Sequence, residues 1–170
     1  MQTSSLKLYS LEYSNIKTYW IAALFVLGNI ALPQLCHLIP MGGVRWLPIY
    51  FFTLVGAYKY GWRVGVLTAI VSPLLNSLLF GMPHVAALPA IMLKSTLLAG
   101  VAGYAAARFQ KVSLILLAGV VLAYQVLGTF GEWLMSDTFY AAVQDFRIGV
   151  PGMLMQVFGG WAVINYLLRR

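Results

Sequence analysis

The chain has 170 residues, 61% of them hydrophobic and only 9% charged, with a mean hydropathy of +0.84. A soluble domain carries roughly 25% charged and 45–50% apolar residues, so that class is excluded, together with disordered and collagen-like chains. One cysteine, Cys36, cannot form an intrachain bridge, which removes the disulfide-stapled scaffolds.

Residues 1–17 are polar and mixed, with Lys7, Glu12 and Lys17, and lack the apolar core and cleavage site of a signal peptide. A weak rhythm of Leu8, Leu11 and Ile16 suits a cytoplasmic or interfacial segment. Residues 18–170 then read as one domain. Its apolar runs are Thr18 to Ile39, Val44 to Tyr58, Val64 to Phe80, Val85 to Ala107, Val112 to Leu134 and Val150 to Leu168. All but the second are long enough to cross roughly 30 Å of hydrocarbon at about 1.5 Å per residue. The second is short: it either dips from a thinner edge of the protein or borrows Trp46 and Tyr60 as interfacial anchors. The expected fold is therefore an all-α membrane protein, a compact bundle of six transmembrane helices.

Charge placement orients the bundle. With a cytoplasmic N-terminus, Lys7, Lys17, Lys59, Arg63, Arg108, Lys111, Arg169 and Arg170 fall inside, whereas only Arg45 and Arg147 fall outside. That asymmetry predicts both termini in the cytoplasm. The formal net charge of +7 is then a topology signal, and no nucleic-acid partner is expected. The inner loops are terse, while the outer connections are longer and carry glycine and aromatic residues. Binding residues concentrate on such loops, so the outer face is the expected ligand side.

Lys94 falls near the middle of the fourth run. An ammonium there costs about 2.5–3.5 kcal/mol, so it must face a partner or a wet cavity. It serves either a carboxylate, phosphate or ring acceptor of a substrate, or a structural ion pair or hydrogen bond to backbone carbonyls. Glu132, near the outer end of the fifth run, is the candidate partner, directly or through ligand or water. Gln125, Gly128 and Glu132 share one helical face. Asn29, Pro33 and His37 form another stripe, and Thr68, Ser72 and Asn76 a third. Small polar residues of this kind glue helices together. Asn76, Gln125 and Gln156, all in the outer half, lean towards a ligand site. His37 beside Cys36 makes no metal ligand set, and His84 reads as a loop residue. No HExxH, GxSxG, P-loop or kinase pattern occurs, so no catalytic residue or cofactor is expected and any ATP hydrolysis belongs to another chain. Asp137 and Asp145 fall in a polar loop, where solvated carboxylates are the expectation.

The order of features resembles a known family. It begins with a first connection rich in proline and glycine, then Leu47-Pro48-Ile49-Tyr50-Phe51-Phe52-Thr53-Leu54-Val55-Gly56-Ala57 and Tyr60-Gly61-Trp62-Arg63-Val64-Gly65. Ser72-Pro73-Leu74-Leu75-Asn76, Leu79-Phe80-Gly81-Met82-Pro83 and Val150-Pro151-Gly152-Met153-Leu154-Met155-Gln156 follow. Together these are similar to the S component of energy-coupling factor (ECF) transporters, over nearly the whole chain from about Tyr19. The motifs are diffuse: glycine, proline and small residues at characteristic places. The resemblance implies a subunit of a bacterial or archaeal cytoplasmic membrane that captures a vitamin or cofactor precursor near the outer surface. It further implies docking on a transmembrane coupling subunit driven by two cytoplasmic ATPases, with inward release after the subunit topples in the bilayer. Carried onto this sequence, the pocket draws on Gln34, His37, Lys94, Gln125, Glu132, Phe139, Tyr140, Asp145, Arg147 and Gln156. The docking face draws on Ala22, Ala23, Gly28 and Ala31, which depart from the family's four-residue alanine spacing. Riboflavin, thiamine, folate, a pterin, a queuosine precursor and a corrinoid all stay open as ligands. Two other classes stay open as well: a small membrane-embedded enzyme acting on lipid or lipoprotein, and an autonomous oligomeric channel or facilitator.

Overall fold

The structure, a computed structural model, describes residues 8, 10–136 and 138–169. Lys7, Asp137 and Arg170 lie outside the described residues. Within them the chain forms α1 (Ile16–His37), α2 (Gly42–Trp46), α3 (Phe51–Tyr60), α4 (Trp62–Phe80), α5 (Leu88–Phe109), α6 (Leu114–Met135), α7 (Phe139–Ala142), α8 (Gln144–Ile148) and α9 (Val150–Arg169). No strand occurs among the described residues. Two side chains cap α1 and α6: Asn15 Oδ1 accepts from the Lys17 N–H at 3.0 Å, and Ser113 Oγ accepts from the Leu116 N–H at 3.2 Å.

Four helical stretches are long and apolar enough to cross a membrane: Ile16–His37, Trp62–Phe80, Val85–Phe109 and Leu114–Met135. Their outward faces carry Trp20, Leu24, Leu27, Leu78 and Ile115, all exposed, while Asn29, Thr53, Ser72, Ser95 and Gln125 are buried. Water would favour the opposite distribution; a hydrocarbon solvent favours this one.

The run expected to be a short second span is not one helix. Leu47 adopts a left-handed conformation (φ 45°), a 3-10 turn follows over Pro48–Tyr50, and α3 then covers only ten residues, about 15 Å. Pro48 has no N–H to donate into a preceding turn, which divides the run. What α3 lacks in length it recovers in burial. Leu54, Val55, Ala57 and Tyr58 are fully enclosed, and α3 packs against α1, α4, α5 and α9 as the central post of the bundle.

A polar network ties the post to its neighbours. Asn29 Nδ2 donates to Thr53 Oγ1 at 3.0 Å and Ser72 Oγ at 3.2 Å, and Asn29 Oδ1 accepts from the Phe52 N–H at 3.1 Å. That last bond satisfies an amide at the start of α3, where no residue of the helix itself supplies a side-chain cap. Pro33 lies four residues after Asn29 and cannot donate to its carbonyl. Asn76 Nδ2 does so instead, at 2.9 Å.

The two ends of the bundle differ. At one end residues 11–13 fold onto the corner between α3 and α4: the Leu11 N–H donates to the Tyr60 carbonyl at 3.2 Å, and Glu12 lies 4.0 Å from Arg63. Leu8 and Leu11 pack against the core there. This end also holds Lys17, Lys59, Arg108 and Lys111. The other end is built from residues 38–50, 81–87 and 138–149, and its basic residues are Arg45 and Arg147.

Candidate functional site

A cavity of about 700 Å³ opens at that second end. Its walls are the end of α1, the segment from Ile39 to Tyr50, the 82–91 turn and the start of α5. Most of this lining is apolar, with Pro33, Pro48, Met82 and Ile91 among its residues. Its charged residues are Lys94, Glu132 and Asp145, and His37 and His84 stand exposed at its edge.

Lys94 reaches this site from within α5 and is itself only 3% exposed. Its Nζ lies 2.5 Å from Glu132 Oε2 and donates to Asp145 Oδ2 at 2.8 Å. The lysine thus meets both carboxylates directly, Glu132 from α6 and Asp145 from α8. Asp145 departs from the expectation of a solvated loop carboxylate, because α8 folds it inward to 8% exposure. Its partner is 51 residues away in sequence, so local polarity held no sign of the pairing.

Gly128 makes room for the lysine. A Cβ at that position would stand 2.5 Å from Lys94 Cγ. Gly128→Ala is therefore expected to displace the lysine stem and to lower stability by about 1–3 kcal/mol, the usual cost of overpacking. Thermal unfolding of the purified variant checks this. An unchanged midpoint would show that the stem has slack.

His37 and Asn76 line the cavity, but both Asn76 amide hydrogens are engaged, with the Asn29 carbonyl at 2.9 Å and the Ser72 carbonyl at 3.0 Å. Gln34 lies beside it and donates to Asn76 Oδ1 at 3.4 Å. Gln125 and Gln156 are fully buried and meet at Tyr124: its hydroxyl donates to Gln156 Oε1 at 2.8 Å and accepts from Gln125 Nε2 at 3.2 Å. Gln125 Oε1, Gln156 Nε2 and Thr129 Oγ1 have no hydrogen-bond partner among the described residues. Tyr50 separates this cluster from the cavity, its ring centroid 5.7 Å from that of Tyr124.

Tyr140 and Arg147 are exposed and engage each other, the guanidinium 3.6 Å from the ring centroid, and Phe139 packs edge-on against Trp133 at 5.4 Å. Among the docking candidates, Ala23 and Ala31 are exposed on α1, whereas Ala22 is in the core and Gly28 faces the Phe52 ring. The outward stripe of α1 is Trp20, Ala23, Leu24, Leu27 and Ala31.

Cavity-lining residues to which sequence reasoning gave no site role are Leu47 and Tyr50. Both stand in or next to irregular turns, where hydropathy carries no geometric information. Among the described residues no group of three or more histidine, cysteine or acidic side chains could hold a metal ion. A second hollow, about 450 Å³ between α5 and α6 at the opposite end, is walled mostly by apolar residues such as Tyr104, Phe109 and Leu116. Compared with known proteins, the chain matches no family model, no curated sequence and no solved structure.

Proposed function

We propose that this chain is the substrate-capture subunit of an ECF-type, ATP-driven importer, taking up a vitamin or cofactor precursor. In this reading it is a six-span body of a bacterial or archaeal cytoplasmic membrane with both termini inside. The observation that carries the proposal is the cavity of about 700 Å³ whose floor is a buried lysine held between two carboxylates. Ionic groups placed at membrane depth are costly, and facing a water-accessible cavity offsets that cost. The end bearing Lys17, Lys59, Arg63, Arg108 and Lys111 is cytoplasmic by the positive-inside rule, so the cavity opens outward.

A dissolved nutrient enters between the 38–50 segment and the 82–87 turn and seats above Lys94. The occupied subunit then docks through the outward stripe of α1, where Ala23 and Ala31 allow a partner helix to approach closely. ATP hydrolysis takes place on two partner chains and drives inward release. The test is mild-detergent purification from the source membranes. The proposal expects a transmembrane coupling subunit and a pair of ATPases to accompany the chain and to restore ATP-dependent uptake in vesicles. A chain that purifies alone, while other transport complexes of the same membranes stay intact, would overturn it.

A further inference from the structure

We infer that the cavity selects an organic cation, a ligand bearing an ammonium, amidinium or N-alkylated heteroaromatic nitrogen. In this arrangement Lys94 is the counter-ion that holds the wall together, and the ligand is anchored by carboxylate. The inference rests on the capture reading above and narrows it to a substrate class.

One ammonium, Lys94 Nζ, stands 2.5 Å from Glu132 Oε2 and 2.8 Å from Asp145 Oδ2. One positive charge against two negative ones leaves a net negative charge beneath the cavity. Among the described residues no second fixed cation of the lining cancels it: the other titratable groups there are His37 and His84 at the edge and the Tyr50 hydroxyl. Arg45 does not line the cavity, and Arg147 is turned onto the Tyr140 ring at 3.6 Å.

Lys94 is also poorly available to a ligand. Two of its three N–H groups point at carboxylates, and its side chain is 3% exposed. An anionic ligand would have to pull the lysine from one carboxylate and leave that group buried without a partner, which is strongly unfavourable. A cation meets no such conflict and completes the charge balance. Glu132 is the more open of the two acids, with 24% of its side chain exposed against 11% for Asp145, so it is the carboxylate a ligand reaches first. The apolar walls around Pro33, Pro48, Met82 and Ile91 then accept the uncharged body of the molecule.

The test uses the full chain in lipid nanodiscs and a small-molecule extract of the source cells, split by ion exchange at neutral pH into cationic, neutral and anionic pools. Ligand capture raises the unfolding temperature by mass action. The cationic pool is expected to produce this rise. Glu132→Gln, which keeps the shape and removes the charge, should weaken it by about tenfold or more in effective concentration. Asp145→Asn provides the second variant, and each is first shown to unfold cooperatively without ligand. A rise from the neutral or anionic pool alone, or a cationic rise that both variants retain in full, would overturn the cation assignment and leave the capture reading standing. No rise from any pool would overturn both.

Discussion

Replacing Lys94 with methionine should destabilise the protein by about 3–5 kcal/mol, the cost of removing one partner from a buried ionic cluster. The loss comes mainly from what stays behind. Glu132 and Asp145, both within 3 Å of the lysine nitrogen at present, would face each other across an apolar gap with no cation between them. Neutralising them in the same background, as Lys94→Met with Glu132→Gln and Asp145→Asn, should therefore restore more than half of the lost stability. An amide pair can bond to itself where a carboxylate pair cannot. Thermal unfolding followed by tryptophan fluorescence reads both variants. A single variant as stable as the parent would mean that the three groups are hydrated and independent.

Asn29→Ala is expected to have the next largest effect, and on the fold alone. Interhelical hydrogen bonds in membranes average about 0.6 kcal/mol each, and the Asn29 side chain makes three: to Thr53, to Ser72 and from the Phe52 amide. Alanine also leaves the Phe52 N–H without its cap, which adds about 1–3 kcal/mol. With the Phe52 bond counted once, the expected total is about 2–4 kcal/mol. Because Asn29 does not line the cavity, ligand affinity measured below the unfolding transition should stay within about twofold of the parent. Equal losses of affinity and stability would show that network and cavity act as one unit.

The contrast between these two residues separates what was legible in the sequence from what was not. Long apolar runs have few alternatives to a helix, so Thr18–Ile39, Val64–Phe80 and Val112–Leu134 lie within about two residues of α1, α4 and α6. The run from Val44 to Tyr58 misled because hydropathy is blind to φ: a left-handed Leu47 followed by Pro48 breaks it into turns ahead of a ten-residue α3. Lys94 announced itself by its cost in an apolar helix, and Glu132 by its position on the facing one. Asp145 did not. Its burial depends on how α7 and α8 fold back over the bundle, and no periodicity in the connection between α6 and α9 encodes that. Asn76 shows the reverse case. Its place in a polar stripe suggested a ligand contact, whereas its amide answers the carbonyl that Pro33 leaves open, although the residue also borders the cavity.

Small residues carried meaning of a kind that composition hides. Gly128 gives Lys94 its path across the α5–α6 interface, and Gly152 lets α9 press against the backbone of Trp46. Neither position differs in sequence from the glycines at which a Cβ would meet nothing, such as Gly100 and Gly119.

Native mass spectrometry of the chain, released from nanodiscs made directly from the source membranes, tests the central claim most directly. The account expects one small hydrophilic molecule bound per chain, present on the parent protein and absent or strongly reduced on Glu132→Gln and Asp145→Asn. A parent protein that carries only lipid, or a bound molecule whose occupancy ignores both substitutions, would contradict it.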